Sequence, residues 1–316
     1  MGRRRKKGRP ISGWLILDKP YDFGSTEAVS KSKWLYQAQK AGHAGTLDPL
    51  ATGVLPIAFG EATKTAPYIT DAQKRYRFTA KWGVSTSTDD AEGDAIATSD
   101  NRPDRDAIEA VLKKFTGDIE QVPPQFSAIK VGGERAYDIA RDGEKVKLSA
   151  RTISIHELIV ANMPSADETV FEAVTGKGAY VRALVRDIAH ELGTEGHVSE
   201  LRRLAVGPFR AEDGITIEQL EAITLVEDRD ALLTPITTAL SHIPQAMIDG
   251  PQADKLRRGQ AAVISPPVAK GIRGEKIGAI ETVLAVLHDE AVALCELDGL
   301  KLVPNRVFNL ADPTSS

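Results

Sequence analysis

The chain has 316 residues, 42% of them hydrophobic and 27% charged, enough for a sizeable core and more than one domain and unlike a disordered or fibrous protein. No apolar run reaches the ~20 residues of a membrane helix, the basic start MGRRRKKGRPISG lacks the apolar core of an export signal, and a single cysteine, Cys295, forms no internal disulfide, so a protein of the reducing cytosol with no membrane partner is expected. The net charge of −4 hides an asymmetry: residues 1–81 carry 15 Lys/Arg against 6 Asp/Glu, so a polyanion can find a positive face on an acidic protein.

Residues 1–10 read as a basic flexible tail, either a phosphate contact or a solvated extension. WLILDKP (14–20) is a strand running into a turn, and Ser25 or Thr26 can cap a helix that continues to about Ala41 and stops at Gly42. Gly42 to Gly53 holds three glycines, Pro49 and two threonines, which makes it a shaped loop. VLPIAFG (54–60) is a buried strand, and EATKTAPYI is a short helix interrupted by Pro67. KRYRFTAKW (74–82) alternates, with Tyr76, Phe78, Ala80 and Trp82 on one face. An acidic loop follows at 86–94, then a helix at about 104–115 that ends at Thr116-Gly117. QVPPQFSAIKVGG predicts an irregular hairpin, and a short helix is expected near 134–141.

RTISIHELIV and TVFEAVTG are strand candidates, whereas AYVRALVRDIAHELG (179–193) is an amphipathic helix with Val181, Leu184, Val185, Ile188 and Leu192 on its apolar side. VSELRRLAVGPF (198–209) and a short helix at IEQLEAI complete this part, and residues 212–230, with seven acids and one arginine, read as a solvated stretch. From about 245, short strands separated by Gly- and Pro-containing turns indicate a small β domain of the kind that can close into a barrel. Mixed elements without a βαβ rhythm give an α+β class, with a tail at 1–10, a main domain at 11–240 and a β domain at 245–312.

One cysteine and six scattered histidines offer no zinc-type cluster, so no metal is expected. Asp48 stands out in Gly45-Thr46-Leu47-Asp48-Pro49, because the residue before proline is restricted to extended backbone and its carboxylate is pinned. Such a group can serve as nucleophile or general base. It can equally be an Asx-turn, and local chemistry does not choose between them.

The motifs WLILDKP, AGHAGTLDPLATGVLPIAFGEATK, QKRYRF, QVPPQFSAIK, KGAYVRALVRD and LRRLAVGPF occur in this order. Together, over roughly residues 8–240, they resemble the bacterial tRNA pseudouridine-55 synthases, the TruB family. The resemblance implies a pseudouridine-synthase fold with a mixed, largely antiparallel sheet and a C-terminal PUA-like RNA-binding domain. It implies isomerisation of uridine 55 in the tRNA T stem-loop, with no cofactor; for oligomeric state, a monomer is the default expectation. Asp48 matches the family's catalytic aspartate. Tyr76 matches an active-site tyrosine whose ring can replace the stacking lost by a flipped uracil, ~1–3 kcal/mol per base; periodicity alone makes it core.

Tyr180 and Arg182 match a GTYIR-type motif, Tyr180 as a substrate contact and Arg182 as the partner that keeps Asp48 ionised; on its own, Arg182 is an ordinary helix arginine. By resemblance His43 contacts RNA and fills the vacated stack, Leu201 lines the uracil pocket, Lys19 supports the catalytic loop, and Asp90 bonds a base or ribose or organises its loop. Arg202, Arg203, Lys64 and the tail are candidates for phosphate contacts. In residues 245–316, eight cations face nine acids, so charge does not mark the β domain as RNA-binding. The rival reading is a tRNA-binding protein without catalysis; a glycosidase would need a second positioned acid.

Overall fold

The computed structural model describes residues 8–127, 130–131, 134–135, 148–274 and 280–310. Strand β1 (Gly13–Lys19) leads into helix α1 (Ser25–Leu35), and β2 (Ala41–His43) and β3 (Thr52–Phe59) follow. Both β1 and β2 pair antiparallel with β3. Leu15, Leu17, Leu55, Ile57 and Phe59 pack toward α1, while Trp14, Ile16, Val54 and Ala58 join a second cluster. Burial on both faces is why these strands read as continuous apolar runs rather than alternating ones.

Helix α1 ends at Leu35, not near Ala41. Tyr36 is drawn fully into the core, its hydroxyl donating to Arg229 O at 2.8 Å, and Gln37 turns left-handed at φ 50. The chain thereby reverses early enough for Ala41–His43, expected as helix end and loop, to pair with β3. Helix α2 (Ala66–Asp71) has Pro67 in its first turn, after a 3-10 segment at Gly60–Thr65. Proline there starts the helix instead of interrupting it, since the first N–H groups of a helix need no intrahelical acceptor.

In β4 (Lys74–Trp82), Tyr76, Phe78, Ala80 and Trp82 are buried as the alternation requires, and Arg75 and Arg77 face out beside Glu172. The hairpin of β5 (Val84–Thr86) and β6 (Ala95–Thr98) encloses the acidic loop. Helix α3 (Arg105–Leu112), capped by Asp104, and β7 (Gly117–Gln121) come next. Strands β8 (Lys130–Val131) and β9 (Glu134–Arg135) form the small hairpin. Of the helix expected at 134–141, Glu134–Arg135 is strand, and the remainder lies outside the described residues, as do positions 1–7 of the basic tail.

Strands β10 (Arg151–Ser165) and β11 (Glu168–Thr175) precede helix α4 (Val181–Glu191), then β12 (Gly196–Val206) and β13 (Phe209–Arg210). The main sheet runs β1-β3-β12-β4-β11-β10-β7, with β2 on β3 and β13 on β12. Among the described residues its one parallel strand pairing joins β12 to β3 and sets Arg202 opposite Thr52 and Arg203 opposite Gly53. On the other side of β12, Arg203 stands opposite Tyr76 and Leu201 opposite Phe78. Helices α3 and α4 cover β4, β10 and β12 with Ile108, Leu184, Val185 and Ile188.

Residues 212–230 are not simply solvated. Ile217 and Leu220 of α5 (Ile217–Ala222) are core, and Arg229 of α6 (Val226–Asp230) is buried, donating to Leu220 O, Ile223 O and Leu35 O. The acids point out while the one arginine points in, a division that composition cannot show. Beyond α7 (Ile236–Ala239) lie β14 (Gln245–Met247), α8 (Gly250–Arg257), β15 (Ala262–Val263), α9 (Pro266–Arg273), β16 (Ile280–Leu287), β17 (Glu290–Asp298) and β18 (Lys301–Val307). Their five-stranded sheet runs β14-β16-β17-β18-β15. Leu284, Val286, Leu294 and Phe308 share one apolar cluster with Trp14, Ile236 and Leu240, so the two sheets meet through a core rather than a linker.

Candidate active site

The loop between β2 and β3 carries Asp48, and buried polar groups hold it from three sides. At its start, the Ser25 hydroxyl donates to Leu47 O at 2.7 Å and accepts from Leu47 N at 2.9 Å, so this serine ties α1 to the loop instead of capping the helix. On the second side, the ammonium of Lys19, fully buried, donates to Pro20 O, Phe23 O and Pro49 O at 2.8, 2.7 and 3.0 Å. Burial pushes Lys19 down to about 8, with Asp48 opposing the shift and Arg203 adding to it.

Arg203 holds the third side. Its guanidinium donates to Val54 O at 2.7 Å, Gly45 O at 3.0 Å and Thr46 O at 3.3 Å, which fastens both ends of the loop to β12. The approach is so close that a Cβ on Gly53, at φ +98, would stand 2.2 Å from Arg203 O; only glycine fits. Burial lowers the Arg203 pKa, opposed by Tyr76 and Asp48. Arg203 is therefore no phosphate contact. Arg202 is instead engaged with Asp18 through two bonds of 2.9 and 2.8 Å, and Lys64 pairs with Glu61 and donates to Val307 O at 2.8 Å, across to the C-terminal sheet.

Arg182 enters from the first turn of α4, 5% exposed at the side chain. Its Nε lies 2.9 Å from Asp48 Oδ2 and 3.6 Å from Asp90 Oδ2, and its Nη atoms donate to Thr88 O at 3.0 Å and Phe126 O at 2.8 Å. Asp48 keeps 36% of its side chain exposed, so its carboxylate is both paired and reachable. Asp90 is bound more tightly, accepting from Thr88 Oγ1 at 2.5 Å and Glu92 N at 3.1 Å.

Asp48, Tyr76, Tyr180, Arg182 and Leu201 line one cavity of about 480 Å³. Tyr180 is set by buried Gln121, which accepts from its N–H at 2.9 Å and donates to its carbonyl at 3.1 Å. Burial raises the Tyr180 phenol, and the Asp48 charge adds to that rise. Asp90 borders a second cavity of about 360 Å³ that Asp48 and Arg182 also line. Lys19 lies behind the loop. His43 sits on β2 outside the cavity lining; burial and then Arg203 lower its pKa, which leaves the imidazole neutral.

Sequence reasoning missed Arg203 as a brace, and it missed Lys74, which lines the cavity and donates to Thr70 O and to Ala72 O at 2.6 Å. Burial pushes Lys74 down to about 8. Its place at the start of the alternating strand was the available signal. Ser127, Gly176 and Gly178 also line the cavity. Among the described residues, no group of three His, Cys, Asp or Glu side chains could hold a metal, and no helix is long and apolar enough to cross a membrane.

Residues 33–181 match the model of the TruB family pseudouridylate synthase N-terminal domain, and 182–241 match that of the tRNA pseudouridylate synthase B C-terminal domain. The chain is 51% identical over 307 residues to a tRNA pseudouridine synthase B of Caulobacter vibrioides, covering 97% of this chain and 99% of the relative. With the protein of the same name from Agrobacterium fabrum it shares 50% over 312 residues, 96% and 97% of the two chains. Among solved structures, a chain of an H/ACA RNP bound to a substrate RNA containing 2'-deoxyuridine superimposes with a TM-score of 0.71 at 25% identity, covering 98% of this chain and 92% of that one. A chain of a Cbf5-Nop10-Gar1 complex gives 0.69 at 27% identity over 94% and 85%.

Proposed function

The chain belongs to the TruB family of tRNA pseudouridine synthases, which are isomerases, and from that premise we propose that it converts uridine 55 in the T stem-loop of tRNA to pseudouridine with Asp48 as the catalytic carboxylate. The observation that carries this reading is the Asp48 carboxylate, reachable from the cavity and 2.9 Å from the Arg182 guanidinium. In the reaction the N1–C1′ bond breaks, uracil turns, and a C5–C1′ bond forms; C5 loses a proton and N1 gains one. Nothing is oxidised or reduced, so no electron acceptor enters the balance.

The uridine must leave its stack to reach Asp48, and Tyr76 supplies the face that replaces its neighbours. Leu201 packs against the uracil, and Tyr180 contacts the nucleoside beside the carboxylate. Arg182 pairs with Asp48 and fixes where its carboxylate points. Asp90 shares that guanidinium and orients it, while Lys19 holds the loop in place. His43, its imidazole held neutral by burial, fills the gap left in the RNA. The main domain at 11–240 does the chemistry, and the C-terminal sheet, as a PUA-like domain, adds contacts to the acceptor stem. Cys295 is buried with its thiol pushed up to about 12, inert in a protein that works as a monomer in the cytoplasm.

The test is Asp48→Asn on unmodified T stem-loop RNA, with pseudouridine read by carbodiimide adducts. Turnover is expected to fall at least about a thousandfold, while RNA still binds. Pseudouridine formed at the original rate would overturn the assignment.

A further inference from the structure

Helix α4 presents a second arginine to the same neighbourhood, one turn beyond Arg182. Arg186 Nη1 donates to Asp89 Oδ2 at 3.1 Å, Nη2 to Val122 O at 2.8 Å and Nε to Asp187 Oδ1 at 2.9 Å. Positions four apart lie on one helix face, and the two arginines bridge the same two segments. Arg182 takes Thr88 O and Phe126 O, and Arg186 takes Asp89 and Val122 O. Neither Arg186 nor Asp89 lines either cavity at Asp48.

Asp89 is held in an unusual state. Its backbone is left-handed at φ 60, a conformation that costs a non-glycine residue free energy and persists only where surroundings impose it. Val198 N donates to Asp89 O at 3.1 Å and Asp89 N to Thr86 O at 3.3 Å. The side chains of Arg186 and Asp89 are 20% and 15% exposed, so this is no loose surface pair. The left-handed turn sends the Thr88 carbonyl and the Asp90 carboxylate to the same side, where Arg182 meets both.

We propose that Arg186 and Asp89 are a positioning pair for the reaction: they lock the 88–90 turn and the 122–126 segment against α4, and so aim Arg182 at Asp48 without touching the RNA. The proposal rests on the reading of Asp48 and Arg182 as the reacting carboxylate and its partner. Arg186→Gln removes the charge, and Asp89→Asn does so while keeping a residue type that tolerates a left-handed backbone. Single-turnover rates and Kd are measured with T stem-loop RNA, beside thermal unfolding. Each variant is expected to slow the chemical step about tenfold to a hundredfold, as small misplacements in active sites do, with Kd changed less than about threefold. The double variant is expected to be no slower than the worse single one, because both remove one interaction. Arg186→Lys should recover part of the rate.

Unchanged rates in folded Arg186→Gln or Asp89→Asn would overturn the proposal, as would a rate loss matched by an equal loss of affinity. If Arg186→Gln does not fold, Asp89→Asn decides alone. Asp48→Asn is assayed in parallel: activity there sinks the underlying reading, whereas inactive Asp48→Asn beside fully active pair variants sinks only this one.

Discussion

The Asp48 loop and the C-terminal sheet are both firmly held, by opposite means. Around the loop, three buried cations, Lys19, Arg182 and Arg203, donate to backbone carbonyls, and Arg182 also forms an ion pair with the Asp48 carboxylate. In the C-terminal sheet, Val283, Ala285, Val292, Leu297 and Leu302 are buried, and among the described residues no charged side chain of 245–310 is. Apolar packing is non-directional and accepts swaps that keep volume. A cage of charge-assisted hydrogen bonds is directional and fails when one member is lost. The chemistry proposed at Asp48 needs the second kind of rigidity; the contacts proposed for the C-terminal sheet need only the first.

The contrast can be broken most severely at Arg203. In Arg203→Met, the carbonyls of Gly45, Thr46 and Val54 lose their donor, at a cost of about 3–5 kcal/mol for several buried acceptors together. Calorimetry should show that loss, and single-turnover assays a drop of at least about a hundredfold. Leu302→Ala should cost a comparable ~2–5 kcal/mol by leaving a cavity in the C-terminal sheet. Its rate on T stem-loop RNA should nevertheless stay within about twofold of the natural chain, since no hydrogen bond to the loop changes. Equal damage to rate in both variants would erase the distinction.

A smaller effect tests the electrostatic side. Lys19 stands at about 8 in the folded chain against an ordinary 10.5. Between those values the unfolded chain binds a proton that the folded chain does not, so stability rises with pH there and is flat in this respect below about 8. Lys74 acts in the same direction. Urea titrations from pH 7.5 to 10, roughly the window in question, should show a rise that is shallower in Lys19→Met. A fall with pH that disappears in the variant would mean that the carbonyl cage outweighs burial. Smallest of all is Arg202→Ala, whose half-exposed pair with Asp18 should matter by less than about 1 kcal/mol.

Strand β4, the amphipathic face of α4 and the terminal β region were legible because period and turn chemistry are local properties of the chain. Asp48 was legible as a pinned carboxylate from Pro49 alone, and as a catalytic candidate only in company with Tyr76, Tyr180, Arg182 and Leu201, whose order resembles one family. The early end of α1 was not legible, because Tyr36 is pulled inward by Arg229 O, 193 positions away. Nor was the fate of the cations. Arg202 and Arg203 are identical neighbours in sequence, yet one pairs with Asp18 near the surface and the other is buried under the loop. Adjacent residues of a strand point to opposite faces, and which face meets Asp48 depends on the parallel pairing of β12 with β3. Composition, periodicity and the ordered motifs were determined by the sequence itself; which charges became a cage and which became surface was decided only when distant strands met.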